Sequence, residues 1–285
     1  MIQAKQITIL GAGLLGASLA LALRAAGYRG RLVAQGRKPQ SVAAAMDFGA
    51  FDLGTCNPQE ALSGSDLVVV CVPLGSFEEA FCQIEAFAPP RAIVTDAGSA
   101  KTSVALAARK VFKNPGRVIG AHPMAGSEKS GPGAARADLF TGKPCILTVC
   151  DTDEPRAIAE VEALWGGMLQ MRLFRMSAEA HDRAVAAVSH LPHLASLALA
   201  AVGQDSGGMA VASTGYRDAT RLAAGNAALW ADIFLANRDA TLDALAKFKA
   251  EVAAFERLIE SGDRGQLEAK IAPIAEARSN WKGPQ

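Results

Sequence analysis

The segment Gln6 to Leu10 is a short apolar run that leads directly into Gly11-Ala12-Gly13-Leu14-Leu15-Gly16. Glycines at this spacing permit a tight turn, close backbone approach to a pyrophosphate and packing of the following helix on the strand. The N–H groups at the start of that helix then face the phosphates. Alone the pattern is weak, and a turn that only packs helix on strand would share it. A strand before it, a helix after it and a second strand on schedule favour dinucleotide binding. Where a chain preferring NAD places an acid against the ribose 2′-hydroxyl, this one reads Ala34-Gln35-Gly36-Arg37-Lys38. Arg37 and Lys38 can pair with a 2′-phosphate by charge-assisted hydrogen bonds, with Ser41 adding a hydroxyl, so NADP is expected over NAD. The bland alternative is a pair of solvated loop charges.

Later strand ends add reactive side chains. Val72 and Pro73 end one such run, and Ser99 and Lys101 follow another in Asp96-Ala97-Gly98-Ser99-Ala100-Lys101. Ser99 can donate to a substrate hydroxyl and Lys101 can attract an anion. His122 opens the chain's most unusual stretch, His122-Pro123-Met124-Ala125-Gly126-Ser127-Glu128-Lys129-Ser130-Gly131. Hydride abstraction from an alcohol needs a group that takes the hydroxyl proton, and imidazole titrates in the useful range. His122, read as sitting in a loop after a strand, is the candidate base rather than a core histidine. His181 has no supporting context. His190 and His193, three apart on a helix, lack a third ligand nearby, so no metal site is expected. Arg217 and Arg221, four apart, can present two guanidinium groups to one cleft wall, where planar forks suit carboxylates; a surface pair between Arg217 and Asp218 is the alternative.

The elements that must position these groups change character along the chain. Strands are expected at 6–10, 31–34, 67–72, 92–95, 117–120, 145–149 and 169–174, alternating early with helices such as 14–26 and 76–87. That alternation is the signature of parallel βαβ units. After Ser177, a helix N-cap by type, only helical periodicity continues. The expectation is an α/β Rossmann-type nucleotide-binding domain over 1–176 followed by an all-helical substrate-binding and dimerisation domain over 177–285.

Composition sets the outer bounds. In 285 residues, 29 Lys and Arg oppose 28 Asp and Glu, so bulk charge recruits no nucleic acid or anionic membrane. The apolar run 7–23 carries three glycines and reads as strand, turn and helix rather than as a leader or membrane span. Five cysteines without a C-x-x-C pair read as reduced thiols in a cytoplasmic protein.

The glycine turn, Asp96-x-Gly98-Ser99-x-Lys101, the His122 to Gly131 block, Ser189-His190-Leu191-Pro192-His193, Gly215-Tyr216-Arg217-Asp218-x-Thr220-Arg221 and Trp230-x-Asp232-Ile233-x-x-x-Asn237 occur in one order over residues 6 to about 260. Together they resemble the prephenate/arogenate dehydrogenases of tyrosine biosynthesis. The resemblance implies oxidative decarboxylation of a cyclohexadienol, with aromatisation making the step effectively irreversible. It gives His122 the ring hydroxyl and Ser99 the same hydroxyl beside the nicotinamide. It places His193 at the substrate, with His190 a helix-packing neighbour. It makes Arg221 the main carboxylate clamp and Arg217 a weaker one, with Glu128 orienting them. A homodimer through the helical half is implied as well. NADP use leans the substrate toward arogenate over prephenate. No regulatory or mutase domain of the kind some relatives carry is expected after about residue 278, so any feedback by tyrosine is expected at the active site. Two other readings are weighed. A β-hydroxyacid dehydrogenase would need a catalytic lysine in the helical half, where the first lysine is Lys247; a non-catalytic NADP-binding sensor would not need His122, Ser99, His193 and Arg221 intact.

Overall fold

The computed structural model describes residues 2–125 and 131–283. Glu128 lies outside the described residues. The chain runs β1 (Gln6–Leu10), α1 (Leu14–Ala25), β2 (Arg31–Gln35), α2 (Pro39–Met46), β3 (Leu53–Thr55), α3 (Pro58–Leu62), β4 (Leu67–Val70), α4 (Phe77–Phe87), β5 (Ile93–Asp96), α5 (Thr102–Val111), β6 (Val118–Pro123), β7 (Pro144–Thr148), α6 (Pro155–Glu162) and β8 (Arg172–Met176). Helices follow: α7 (Ala178–Val185), α8 (Leu191–Asp205), α9 (Thr214–Thr220), α10 (Ala227–Ala236), α11 (Arg238–Ser261) and α12 (Arg264–Asn280).

Eight strands form one sheet in the order β3-β2-β1-β4-β5-β6-β7-β8, parallel except for the antiparallel β6–β7 pair. The central strands β1, β4 and β5 are buried along their whole length because helices cover both faces, and β4 is apolar without a break. On β4, Leu67 and Val69 join one core layer with Ile7, Ile9 and Trp165, while Val68 and Val70 join the other with Phe77, Phe81 and Phe112. Side chains alternate across the pleat, so each strand supplies both layers. The strand order reverses direction between β1 and β4, and such a switch point opens a crevice at the strands' carboxyl ends.

Two differences from the sequence expectation matter. The strand β3 was not anticipated; it is three residues long, holds Gly54, and gives no usable apolar period. The strand expected to stop at 120 instead runs to Pro123, so His122 sits in the sheet and not in a loop. Its pairing with β7 carries on from Gly120–Thr148 through His122–Ile146 to Pro123–Cys145. Pro123 has no N–H to donate to a ladder, and β6 ends there.

Strand structure gives way to helix at Ser177, whose hydroxyl accepts the Ala180 N–H at 3.1 Å and caps α7. From there Ala178–Asp205 is a single run of helix. It is interrupted by a wider π-turn at Ala186–His190, immediately before Pro192. Proline cannot donate into the helical ladder, and widened turns of this kind recur at functional sites.

Candidate active site

A cavity of about 790 Å³ opens at the crevice between β1 and β4. Its volume lies within the range of small-molecule and cofactor sites. One end is formed by the glycine turn, with Gly11, Gly13, Leu14 and Leu15 lining it, together with Gly36, Arg37, Lys38, Ser41, Val72 and Pro73. Gly11 has φ +94, and a Cβ there would stand 2.7 Å from the Cys71 carbonyl oxygen. A Cβ on Gly16 would stand 2.2 Å from the Gly11 carbonyl oxygen, so this helix can approach the turn only without a side chain. The cradle thus has the close backbone approach that a pyrophosphate requires. Arg37 and Lys38 are exposed at its rim.

The other end holds Ser99, His122, Ser189, His190 and Trp230. A buried ion pair braces its floor. The Asp96 carboxylate accepts the Gly98 N–H at 2.8 Å and the Ala121 N–H at 3.0 Å, and it pairs with the Lys101 ammonium, which also donates to the Ala121 carbonyl at 2.7 Å. Lys101 is 1% exposed. Its expected role in attracting an anion is corrected: its charge is spent on Asp96 beneath the site, fixing the loops that carry Ser99 and His122.

His122 Nδ1 lies 2.8 Å from His181 Nε2, and His181 Nδ1 lies 2.7 Å from Asp182 Oδ1. The same carboxylate accepts the N–H groups of Lys101 and Thr102 at 2.8 and 2.9 Å, capping α5 from the helical half. Burial, the His181 ring and the Lys101 cation hold His122 well below the ordinary imidazole range of 6.5, against the pull of Asp182. His122 is therefore a neutral acceptor at physiological pH. Burial raises the Asp182 carboxyl, but hydrogen bonds from His181, Lys101 and Thr102 outweigh it and bring it down to about 2. His181, which carried no signal in the sequence, is thus the nearest hydrogen-bond partner of the candidate base among the described residues.

The π-turn puts Ser189 and His190 on the cavity wall, whereas His193 lies behind Trp230, ring on ring at 3.5 Å, outside the cavity lining. His193 Nδ1 is buried with no hydrogen-bond partner among the described residues. His190 Nδ1 faces the Asn237 amide at 3.2 Å, and burial pushes His190 down to about 4. Asn237 also donates to the Asp182 carbonyl at 2.8 Å, so the last residue of the Trp230 to Asn237 motif ties both histidine groups together.

Arg217 and Arg221 are exposed on α9 and the turn after it, and neither lines the cavity of this chain. Arg217 pairs with Asp218 at 3.2 Å, as the alternative reading had it. A four-residue spacing puts two side chains on one face of a helix; it does not say which way that face looks. Among the described lining residues, Arg37 and Lys38 are the only Lys or Arg side chains. Lys247, the lysine a β-hydroxyacid dehydrogenase would require, stands on the surface paired with Asp243 at 2.7 Å.

A glycine cradle at a strand-order reversal, joined in one cavity to a buried neutral imidazole and closed by a helical half, defines a nucleotide-dependent dehydrogenase. Residues 19–170 match the model of the prephenate dehydrogenase nucleotide-binding domain, and residues 177–272 that of the prephenate dehydrogenase dimerization domain. The chain belongs to the prephenate/arogenate dehydrogenase family. It is 34% identical over 276 residues to the cyclohexadienyl dehydrogenase of Zymomonas mobilis, covering 92% of this chain and 91% of the relative. The structure of Aquifex aeolicus prephenate dehydrogenase in complex with hydroxyphenyl propionate and NAD+ superposes with a TM-score of 0.90 at 28% identity, covering 96% of this chain and 97% of that one. Synechocystis arogenate dehydrogenase superposes with a TM-score of 0.83 at 27% identity, covering 96% and 99%.

Proposed function

We propose that this protein oxidatively decarboxylates arogenate, and prephenate less readily, with NADP as the hydride acceptor, giving tyrosine or 4-hydroxyphenylpyruvate. The observation that carries the reading is His122, a buried imidazole held neutral in the same cavity as the glycine cradle. In that state it accepts the hydroxyl proton of the cyclohexadienol, while Ser99 donates to the same oxygen and orients it. The backbone of Gly11 to Gly16 holds the pyrophosphate, and Arg37, Lys38 and Ser41 hold the 2′-phosphate. When bound there, the nicotinamide supplies the acceptor for hydride. The division at 176/177 separates nucleotide binding from the half that closes over the substrate.

The helical half leaves large apolar side chains in water, among them Val202, Leu235, Val252 and Ile259, each at least half exposed. A second copy of the chain covers them in the reading proposed here, in keeping with the matched dimerization-domain model. The five cysteines are all free, which suits a reducing cytoplasm.

The cofactor reading rests on Arg37. Replacing it with Ala removes a charge-assisted contact worth about 1.5–3 kcal/mol, so NADP is expected to bind roughly 10- to 100-fold more weakly while NAD binding is unchanged. Titration of wild type and Arg37→Ala with both cofactors checks this. Equal wild-type affinity for both, with NADP binding unaffected by the substitution, would contradict it.

A further inference from the structure

The hydrogen bonds around His122 carry a direction that the choice of base alone does not specify. At its lowered pKa the Asp182 carboxylate has no proton to give, so it accepts from His181 Nδ1 across their 2.7 Å contact. A neutral His181 then carries its proton on Nδ1 and presents a lone pair at Nε2. That lone pair faces His122 Nδ1 at 2.8 Å and can only accept, so His122 in turn carries its proton on Nδ1. Nε2 of His122 is left as the basic atom for the cavity that the ring lines.

We infer that His181 and Asp182 are positioning residues for proton transfer, fixing His122 in the one tautomer that can accept the substrate's hydroxyl proton. The inference rests on the proposed role of His122 as the base. As the substrate O–H bond breaks, its proton goes to His122 Nε2, and the resulting imidazolium keeps its Nδ1–H bond to His181, with the Asp182 charge one ring further away. The cationic neighbour Lys101 and the ring of His190 oppose that charge, and among the described residues acting on His122 Asp182 is the anion that favours it. Because Asp182 also caps α5 and accepts from Lys101 and Thr102, its carboxylate is held in place from the nucleotide-binding half. The alignment of the base therefore depends on the two halves of the chain being docked.

The test is nitrogen NMR of the whole protein labelled with 15N-histidine, combined with steady-state kinetics. Wild-type His122 is expected to show a protonated Nδ1 and a pyridine-like Nε2. Asp182→Leu removes the acceptor of the His181 Nδ1 proton, so neither ring is held in its tautomer and His122 is free to carry its proton on Nε2. Its kcat is expected to fall about 10³- to 10⁴-fold, the scale of a wrong tautomer at a catalytic imidazole, with cofactor KM unchanged. His181→Gln, which can still accept from His122 through its amide oxygen, is expected to lose less. A wild-type His122 protonated on Nε2 overturns the inference without any variant being needed. So does an Asp182→Leu protein that loses turnover with its His122 tautomer unchanged, or that keeps both. Loss of turnover in His122→Asn alongside either result removes only the relay, whereas full turnover in His122→Asn removes the base itself.

Discussion

His122→Asn is expected to lower kcat by about 10²- to 10⁴-fold, the range over which a positioned acid or base contributes to a rate, while leaving NADP affinity nearly unchanged. The asparagine is close to the imidazole in reach and can still contact His181, so the sheet at β6 and the pairing with Ile146 should survive. What it lacks is an atom that can take a proton. The pH profile of the wild-type enzyme provides a second reading of the same group. The neutral ring is the active form, and burial beside His181 and Lys101 lowers its folded-state pKa below 6.5, so activity is retained as pH falls past 6.5 and is lost only as pH passes through the depressed value. The acid limb of kcat/KM attributable to this residue should therefore lie below pH 6.5. Unaltered turnover in His122→Asn would remove the residue from the mechanism.

The largest effect on stability is expected at Lys101. Removing one partner of a buried ion pair leaves the other charged in a poor solvent for charge, a loss of about 3–5 kcal/mol. In Lys101→Met the Asp96 carboxylate, 1% exposed, keeps only the N–H groups of Gly98 and Ala121. The Ala121 carbonyl loses its donor as well. Urea unfolding should show a shift of that size, and the double variant Asp96→Asn, Lys101→Met should recover part of it, since no unpaired charge is then buried. Because Ala121 precedes His122 in β6, the single variant should also lower kcat. A destabilisation below about 1 kcal/mol, the scale of an exposed pair, would mean that the pair is not buried in solution as it is here.

Much of the nucleotide half could be read from its residues because its signals are local. Gly11 and Gly16 are required by contacts within one turn, and the buried runs at β1, β4 and β5 follow from hydrophobic residues between helical periods. The limits of β6 could not be read that way. Its last residues are held by β7, more than twenty positions later, and nothing near Gly120 announces that partner. The same holds for His181 and Asp182. Their bond to each other lies within α7, but the bonds to His122 and to α5 arise only when the two halves dock. Glu179 and Arg183 share α7 with them, so nothing in the sequence marked His181 and Asp182 as the buried pair. At Arg217 and Arg221 spacing predicted a shared direction, but the packing of the turn after α9 set that direction toward solvent in this chain. At Ser189, His190 and His193 the π-turn shifted which residues face the cavity, a change that regular helical periodicity cannot anticipate.

The proposed reaction is the oxidative decarboxylation of a cyclohexadienol by a nicotinamide-dependent dehydrogenase, with NADP and arogenate preferred. Initial rates for the four pairings of arogenate or prephenate with NADP or NAD, with carbon dioxide release followed alongside cofactor reduction, test it most directly. The expected result is the highest kcat/KM for arogenate with NADP, and one carbon dioxide released per cofactor reduced. Reduction of cofactor without carbon dioxide, or no turnover in any pairing, would contradict the chemistry; faster rates with NAD would contradict the role given to Arg37.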